Sequence, residues 1–267
     1  MEDLGLVSII TPSFNCANFI RETIESILTQ TYQNWELLIT DDCSTDNSCN
    51  IIQEYCKKDS RIKLFKLTQN FGAGTARNNS TKEANGRFIA FCDSDDQWYP
   101  DKLERQLQFM VSKDIAMSYT SYLTCQEDGS SHGIVVCRKK ETIKTIKKDD
   151  KIGCLTVIYD TYKVGKVFMP SIRKRQDWAF KISVLSICKE AYGMKEPLAI
   201  YRLRENSLSN KKLNLIKYNI AVYRTVLGWS TIRSYLYFGF VFLPNYFLKR
   251  IALNYINRLS LIHISEP

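Results

Sequence analysis

The densest chemistry in this 267-residue chain lies in Phe91-Cys92-Asp93-Ser94-Asp95-Asp96-Gln97-Trp98, where three carboxylates fall within four residues directly after an apolar segment. Carboxylates this close raise one another's pKa. A hard divalent cation removes that conflict and leaves coordination positions for diphosphate oxygens. Mg²⁺ or Mn²⁺ held by Asp93, Asp95 and Asp96 is therefore one reading. A solvated acidic turn with Asp96 capping the next helix is the other, and the place of the cluster at the C-terminal end of a strand favours the first.

Asp41 and Asp42 close a second apolar segment, where a carboxylate can accept hydrogen bonds from a ribose hydroxyl or a base N–H. An Asx turn before a helix explains the pair equally well. Arg77, in Gly72-Ala73-Gly74-Thr75-Ala76-Arg77-Asn78, fits a contact to phosphate or base, or an exposed helical arginine paired with Glu83 or another acid. Asp177, in Arg175-Gln176-Asp177-Trp178, is an isolated acid among bases and aromatics, a setting that can hold a general base ionised. Its bland counterpart is a surface helix cap. The two histidines, His132 and His263, support neither a histidine metal site nor a Ser-His-Asp triad.

These residues need elements to position them. The apolar run Leu6 to Ile10 breaks at Thr11-Pro12-Ser13-Phe14-Asn15, as a buried strand entering a loop does. Ile20, Ile24, Ile27 and Leu28 then share one face of a helix. Trp35 to Thr40 reads as strand two, and Ser44 as the N-cap of a helix burying Ile51, Ile52 and Tyr55. Ile62 to Leu67 reads as strand three, the glycine-containing run opens a third helix, and Arg87 to Cys92 forms strand four. Pro100 suits the first turn of a fourth helix with Leu103, Leu107, Met110 and Val111 inward. Such alternation over about 112 residues predicts parallel strands with helices on both faces and ligands beyond the C-terminal strand ends. Residues 115 to 160 pattern as mixed strand and loop.

At 45% hydrophobic and 24% charged, the chain is globular rather than disordered. The formal charge of +9 is concentrated late, with ten Lys and Arg from Tyr201 onward against Glu205 and Glu266. No nucleic-acid motif accompanies it, so nucleic acid is not an expected partner. Nine scattered cysteines without C-x-x-C spacing fit a reducing compartment. Met1-Glu2-Asp3-Leu4 lacks a basic start followed by an apolar run, so a cytoplasmic location is expected. Leu213 to Leu227 reads as helical. Ser234 to Leu248 is a fifteen-residue uncharged, aromatic stretch, short of the ~20 needed to span a bilayer. Flanked by Arg233, Lys249 and Arg250, it suits a segment lying on a membrane surface, or a core-packing helix pair.

Val7 to Asn15, Glu36 to Ser48, and Asp93 to Leu103 with its D-x-D and W-x-P-x-K-L pattern resemble, in that order, glycosyltransferase family 2, the inverting GT-A-fold transferases. Arg175-Gln176-Asp177, Tyr192-Gly193 and Glu196 to Arg202 further resemble bacterial members that build lipopolysaccharide, capsule or teichuronic-type glycans. The resemblance covers about residues 1–210. It implies an α/β, GT-A-like (Rossmann-like), mostly parallel sheet flanked by helices, with residues 211–267 as a basic, aromatic, helical C-terminal extension. It also implies a nucleotide-sugar donor, with UDP favoured, and a glycan or polyprenyl-diphosphate-linked acceptor at the inner face of the cell membrane.

By that resemblance, Pro12, Phe14 and Asp42 line the base with Asp41 beside them, and Arg77 assists. Asp93 and Asp95 are the D-x-D carboxylates, Ser94 meets the donor, and Asp96 shares the metal. Asp177 takes the place of the catalytic base. Arg204 stands where many relatives have a histidine; it cannot ligate a cation but can pair with the donor diphosphate. Two other functions compete. A nucleotidyltransferase would show a glycine-rich, basic loop after strand one, which Thr11 to Asn15 is not. A non-catalytic scaffold would not need Asp93, Asp95 and Asp177 together.

Overall fold

The computed structural model describes residues 3–204 and 215–248. Strands β1 (Val7–Ser13), β2 (Trp35–Asp41), β3 (Ile62–Lys66) and β4 (Phe88–Phe91) alternate with helices α1 (Ile20–Leu28), α2 (Ser48–Lys58) and α3 (Ala73–Glu83). They pair in parallel in the order β3-β2-β1-β4. Then come β5 (Gln97–Trp98), α4 (Lys102–Ser112), β6 (Met117–Cys125), β7 (Ser131–Val135), β8 (Lys140–Thr142) and α5 (Ile143–Ile146). They are followed by β9 (Ile158–Asp160), α6 (Thr161–Val164), α7 (Gln176–Cys188), β10 (Glu190–Arg202), α8 (Leu215–Leu227) and α9 (Thr231–Tyr237).

The sheet runs β3-β2-β1-β4-β9-β6-β10-β5. Because β9 is antiparallel to both β4 and β6, and β10 is parallel to β6, strands β6 and β10 point the same way as β1, β2 and β4. Their C-terminal ends therefore share one rim. The expected α/β class with a mostly parallel sheet stands, and the stretch that the sequence pattern left unordered, 115 to 160, supplies β6 to β9.

Side chains alternate across the sheet with the period of two that a strand imposes. Val7 and Ile9 of β1, with Leu37 and Ile39 of β2, pack under α1, α2 and α4. Ile10 and Leu38 face the opposite way, toward α7 and α8. Three local expectations fail. Pro100 lies in the turn before α4, which starts at Lys102 after Asp101. Ser44 is not a helix cap, since α2 starts at Ser48 after Asn47; Ser44 instead donates its hydroxyl to Asp41 at 2.6 Å. Val111 is 40% exposed, because the buried arc of α4 ends at Met110.

The described part of the C-terminal extension joins the core. Tyr223 of α8 is fully buried, makes an edge contact with Trp178 of α7 at 5.6 Å, and donates its hydroxyl to the Lys147 carbonyl at 2.9 Å. Beyond α9 the chain passes through a π-helical turn, Phe238–Phe242, into residues 243–248. Ser234 and Phe238 face inward, while Ile232, Tyr235, Leu236, Phe240 and Leu248 face outward and are more than half exposed. No described helix is long and apolar enough to cross a membrane. The boundary expected at 210/211, the flanking Lys249 and Arg250, and His263 lie outside the described residues.

Candidate active site

The rim is shaped first by backbone. Asn15 at the end of β1, Cys43 at the end of β2 and Arg175 before α7 have φ of 46°, 66° and 67°, a left-handed conformation uncommon for residues other than glycine. Asn15 uses it to bind across to the β2 loop, its N–H donating to Ser44 Oγ and its Oδ1 accepting from the Thr45 N–H, both at 2.9 Å. Pro12 is buried within β1, and Phe14 stands 45% exposed at the lip.

Asp41 accepts from Ser13 Oγ at 3.0 Å, and from the Ser44 hydroxyl and N–H at 2.6 and 2.8 Å. That is the Asx-turn arrangement. Asp42 is also buried, and its two oxygens accept the Phe71 and Gly72 N–H groups, each at 2.7 Å. Both carboxylates brace loops of the rim, and Asp42 sets the entry to α3.

From that entry, α3 carries Arg77 inward. Its guanidinium is nearly buried and meets Asp93 Oδ1 at 2.6 Å, rather than Glu83. Burial alone would lower its pKa, but Asp93, then Cys154 and Asp177, raise it above the usual arginine range. The Arg77 Nε has no protein partner. One turn of α3 is thus placed between the acidic turn after β4 and the start of α7. The chain before α7 is clamped to the same helix, since Asn78 donates to the Met169 carbonyl at 2.8 Å and accepts its N–H at 2.7 Å.

β10 holds the acidic turn from the other side. Arg202 Nε donates to the Asp95 carbonyl at 3.1 Å, and the Arg202 N–H donates to Asp96 Oδ1 at 3.0 Å. β5 pairs antiparallel with β10 just beyond. Ser94 is buried within the turn, and Arg204 reaches Asp95 Oδ2 at 3.5 Å. Burial, then the Asp93 charge, pushes the Asp95 pKa up, and Arg204 offsets part of this. Asp96 is pushed higher still by burial, then by Asp95 and Asp93, and its Oδ2 has no partner.

Among the described residues no three His, Cys, Asp or Glu side chains gather into a ready-made metal cage. The donor set nevertheless suits a shared cation. Mg²⁺ is commonly bound by one or two carboxylates plus phosphate oxygens, and Asp93 and Asp95 supply two on one turn. Their mutual repulsion is the conflict a cation relieves. Asp96 points at the Arg202 backbone, which makes it the bracing carboxylate of the three.

Asp177 sits in the first turn of α7, its carboxylate 41% exposed, with Oδ2 at 3.2 Å from Lys181 Nζ. Burial acts to raise its pKa, but Lys181 and then Arg77 outweigh this and hold it at about 2. It is ionised throughout the neutral range. Gln176, beside it, lies against Gly74, where a Cβ would meet the Gln176 side chain at 2.5 Å. The absence of a side chain at Gly74 thus admits the start of α7.

An acidic turn, a buried arginine and an ionised carboxylate on one rim are a constellation that comparison with known proteins can place. Residues 8–168 match the model of glycosyl transferase family 2. The chain belongs to that family. This family 2 glycosyltransferase is 44% identical over 222 residues to the putative teichuronic acid biosynthesis glycosyltransferase TuaG of Bacillus subtilis (strain 168), covering 83% of this chain and 88% of that one. It is 39% identical over 213 residues to WfgD of Escherichia coli, a UDP-Glc:alpha-D-GlcNAc-diphosphoundecaprenol beta-1,3-glucosyltransferase, covering 79% and 83%. Its fold is similar to S. aureus TarS 1-349 in complex with UDP-GlcNAc, with TM-score 0.67 and 19% identity over 85% of this chain and 68% of that one. The GT-A-like sheet is thereby borne out.

Three residues of this glycosyltransferase's site escaped the sequence reading. Arg202 clamps the acidic turn, and Lys181 with Asp150 backs Asp177. Arg202 closes the Glu196 to Arg202 motif but was given no role there, and Lys181 left a local signal in its i,i+4 spacing from Asp177.

Proposed function

We propose that this transferase moves a sugar from a UDP-linked donor to a hydroxyl of a lipid-linked glycan acceptor, with inversion, in the synthesis of a bacterial surface polysaccharide. The observation that carries the reading is Arg77, which pairs with Asp93 at 2.6 Å and lies within electrostatic reach of Asp177, so that one buried cation links the acidic turn to the ionised carboxylate. Support for the donor and acceptor comes from WfgD, whose name specifies UDP-Glc and a diphosphoundecaprenol-linked acceptor.

In this reading Pro12, Phe14, Asp41 and Asp42 shape the base and ribose end, and Arg77, Ser94 and Arg204 meet the donor. Asp93 and Asp95 would hold Mg²⁺ or Mn²⁺, which when bound offsets charge developing on the departing nucleoside diphosphate. Asp177 accepts the proton of the acceptor hydroxyl as that oxygen attacks the anomeric carbon in line. The C1–O bond to the diphosphate breaks on the opposite face, and configuration inverts without a covalent sugar-enzyme intermediate. The negative diphosphate leaves toward Arg204 and Arg77, whose positive charges offset its own.

The outward apolar face of Ile232, Leu236, Phe240 and Leu248 fits a peripheral seat on the inner face of the cell membrane, where a lipid-linked acceptor lies. The test is release of nucleoside diphosphate from a panel of UDP-, GDP- and dTDP-sugars with a polyprenyl-diphosphate-linked sugar. Metal-dependent release with UDP-sugars and an inverted product anomer are expected. Binding without turnover on any donor overturns the reading in favour of a scaffold.

A further inference from the structure

Lys181 is a cation almost wholly removed from solvent, with its side chain 1% exposed. Its three donors are all used: Asp150 Oδ2 and the Ile152 carbonyl at 2.6 Å each, and Asp177 Oδ2 at 3.2 Å. An ammonium has three N–H groups, so this is a saturated site with one geometry. It fixes one oxygen of the Asp177 carboxylate, and the other is not engaged by the lysine.

Burying a lysine is expensive unless it is paired and hydrogen-bonded, and a structural anchor between α7 and the 150–152 segment needs only Asp150. The contact to Asp177 is additional. That carboxylate is part-exposed on the rim, whereas Asp150 is 14% exposed behind it. We propose that Lys181 is the positioning residue for Asp177: it orients the carboxylate toward the acceptor hydroxyl, while Asp150 and the Ile152 carbonyl hold the lysine in place. The proposal rests on the reading of Asp177 as the base.

The charged and titratable groups around Asp177 come from several elements. Arg77 approaches from α3, with Asp93 beyond it on the β4 turn, and Lys181 is on α7 itself. Cys154, Asp150 and Tyr122 also feel its charge. The Cys154 thiol is pushed by burial to about 12, burial pushes Tyr122 above its usual range, and neither is charged near neutrality. Lys181 and Arg77 are thus the cations that keep Asp177 low, Lys181 the larger influence.

An opposite charge at this range lowers a carboxylate pKa by about 1–3 units. Removing the charge leaves burial to act upward, so the carboxylate protonates at higher pH and the base is lost as pH falls. The experiment compares kcat against pH from 3 to 8, at saturating donor, acceptor and Mn²⁺, for the full chain and Lys181→Met, Lys181→Gln and Lys181→Arg. Glutamine keeps a hydrogen-bond donor without the charge and covers the case in which methionine does not fold.

In the two neutral variants the half-maximal point of the acid limb is expected to lie at least about one pH unit above that of wild type, with donor KM at pH 7 within about twofold. Arginine is expected to restore the position of the limb. An unshifted limb in Lys181→Gln, with any loss of activity tracking only a lower Tm, overturns the proposal and leaves a structural lysine. Asp177→Asn separates the two levels: wild-type turnover in that variant sinks the base assignment itself. An inactive Asp177→Asn beside an unshifted Lys181→Gln sinks only the role of the lysine.

Discussion

Arg77 Nη2 and Asp93 Oδ1 meet at 2.6 Å, joining the second turn of α3 to the acidic turn after β4. The pair is nearly buried on the arginine side, so the Asp93 carboxylate is held by the same cation that lies within electrostatic reach of Asp177. Replacing Arg77 with methionine leaves Asp93 beside Asp95 with no buried counter-charge. A loss of about 3 kcal/mol in unfolding free energy is expected, at the lower end of the range for breaking a buried pair. Denaturant unfolding in EDTA measures it, and added Mn²⁺ should restore part of the loss.

Asp96 behaves in the opposite sense. Burial, then Asp95 and Asp93, raises its folded-state pKa above the unfolded value, so its contribution to stability is fully present below the unfolded pKa and is lost as pH rises through the folded one. The charged form therefore costs stability at pH 7. Asp96→Asn, which can still accept the Arg202 N–H, should raise unfolding free energy at pH 7 by at least about 1 kcal/mol, the equivalent of about one pKa unit, and give no gain below about pH 4. Thermal melts in EDTA across that range check it; a lower Tm at pH 7 would show that the carboxylate is not strained there.

Much of this rim was legible because its residues are consecutive. The acidic turn, the strand ends and the helix faces are short-range patterns, and Ile20, Ile24, Ile27 and Leu103 are buried as their spacing requires. What the sequence left open was tertiary pairing. Arg202 finds Asp95 across 107 positions and Lys181 finds the Asp150 segment across about thirty, and no periodicity encodes either. Asp41 and Asp42 were ambiguous for another reason, since an Asx turn and a sugar-binding carboxylate use the same residue type in the same place. The C-terminal stretch was ambiguous because both faces are apolar, one packed on Trp178 and one turned outward.

That outward face gives a third expectation. Ile232→Ser, Leu236→Ser and Phe240→Ser together should reduce binding to anionic phospholipid vesicles by ~10-fold or more, since each buried apolar side chain contributes about 1.5–3 kcal/mol. Turnover on a soluble acceptor analogue should be unchanged. Co-sedimentation reads the first and diphosphate release the second; unchanged vesicle binding would assign the face to another partner.

Gly86 tests the frame beneath the rim. A Cβ there would lie 2.6 Å from the Ser8 nitrogen and 2.7 Å from the Leu6 carbonyl oxygen, backbone atoms of β1 and its approach that cannot swing aside. Gly86→Ala should cost about 3 kcal/mol of stability by forcing β1 and β4 apart, measurable as a lower denaturation midpoint. A neutral substitution would mean that these strands part easily.

The central claim is that Asp177 takes the acceptor's proton while Asp93 and Asp95 serve the donor. Single-turnover transfer, measured beside calorimetric donor binding in the presence of Mn²⁺, tests it most directly in Asp177→Asn and Asp95→Asn. Asp177→Asn is expected to bind the donor as wild type does and to lose transfer by ~10²–10⁴-fold, while Asp95→Asn loses metal-dependent donor binding as well. Transfer at the wild-type rate in Asp177→Asn would contradict the account.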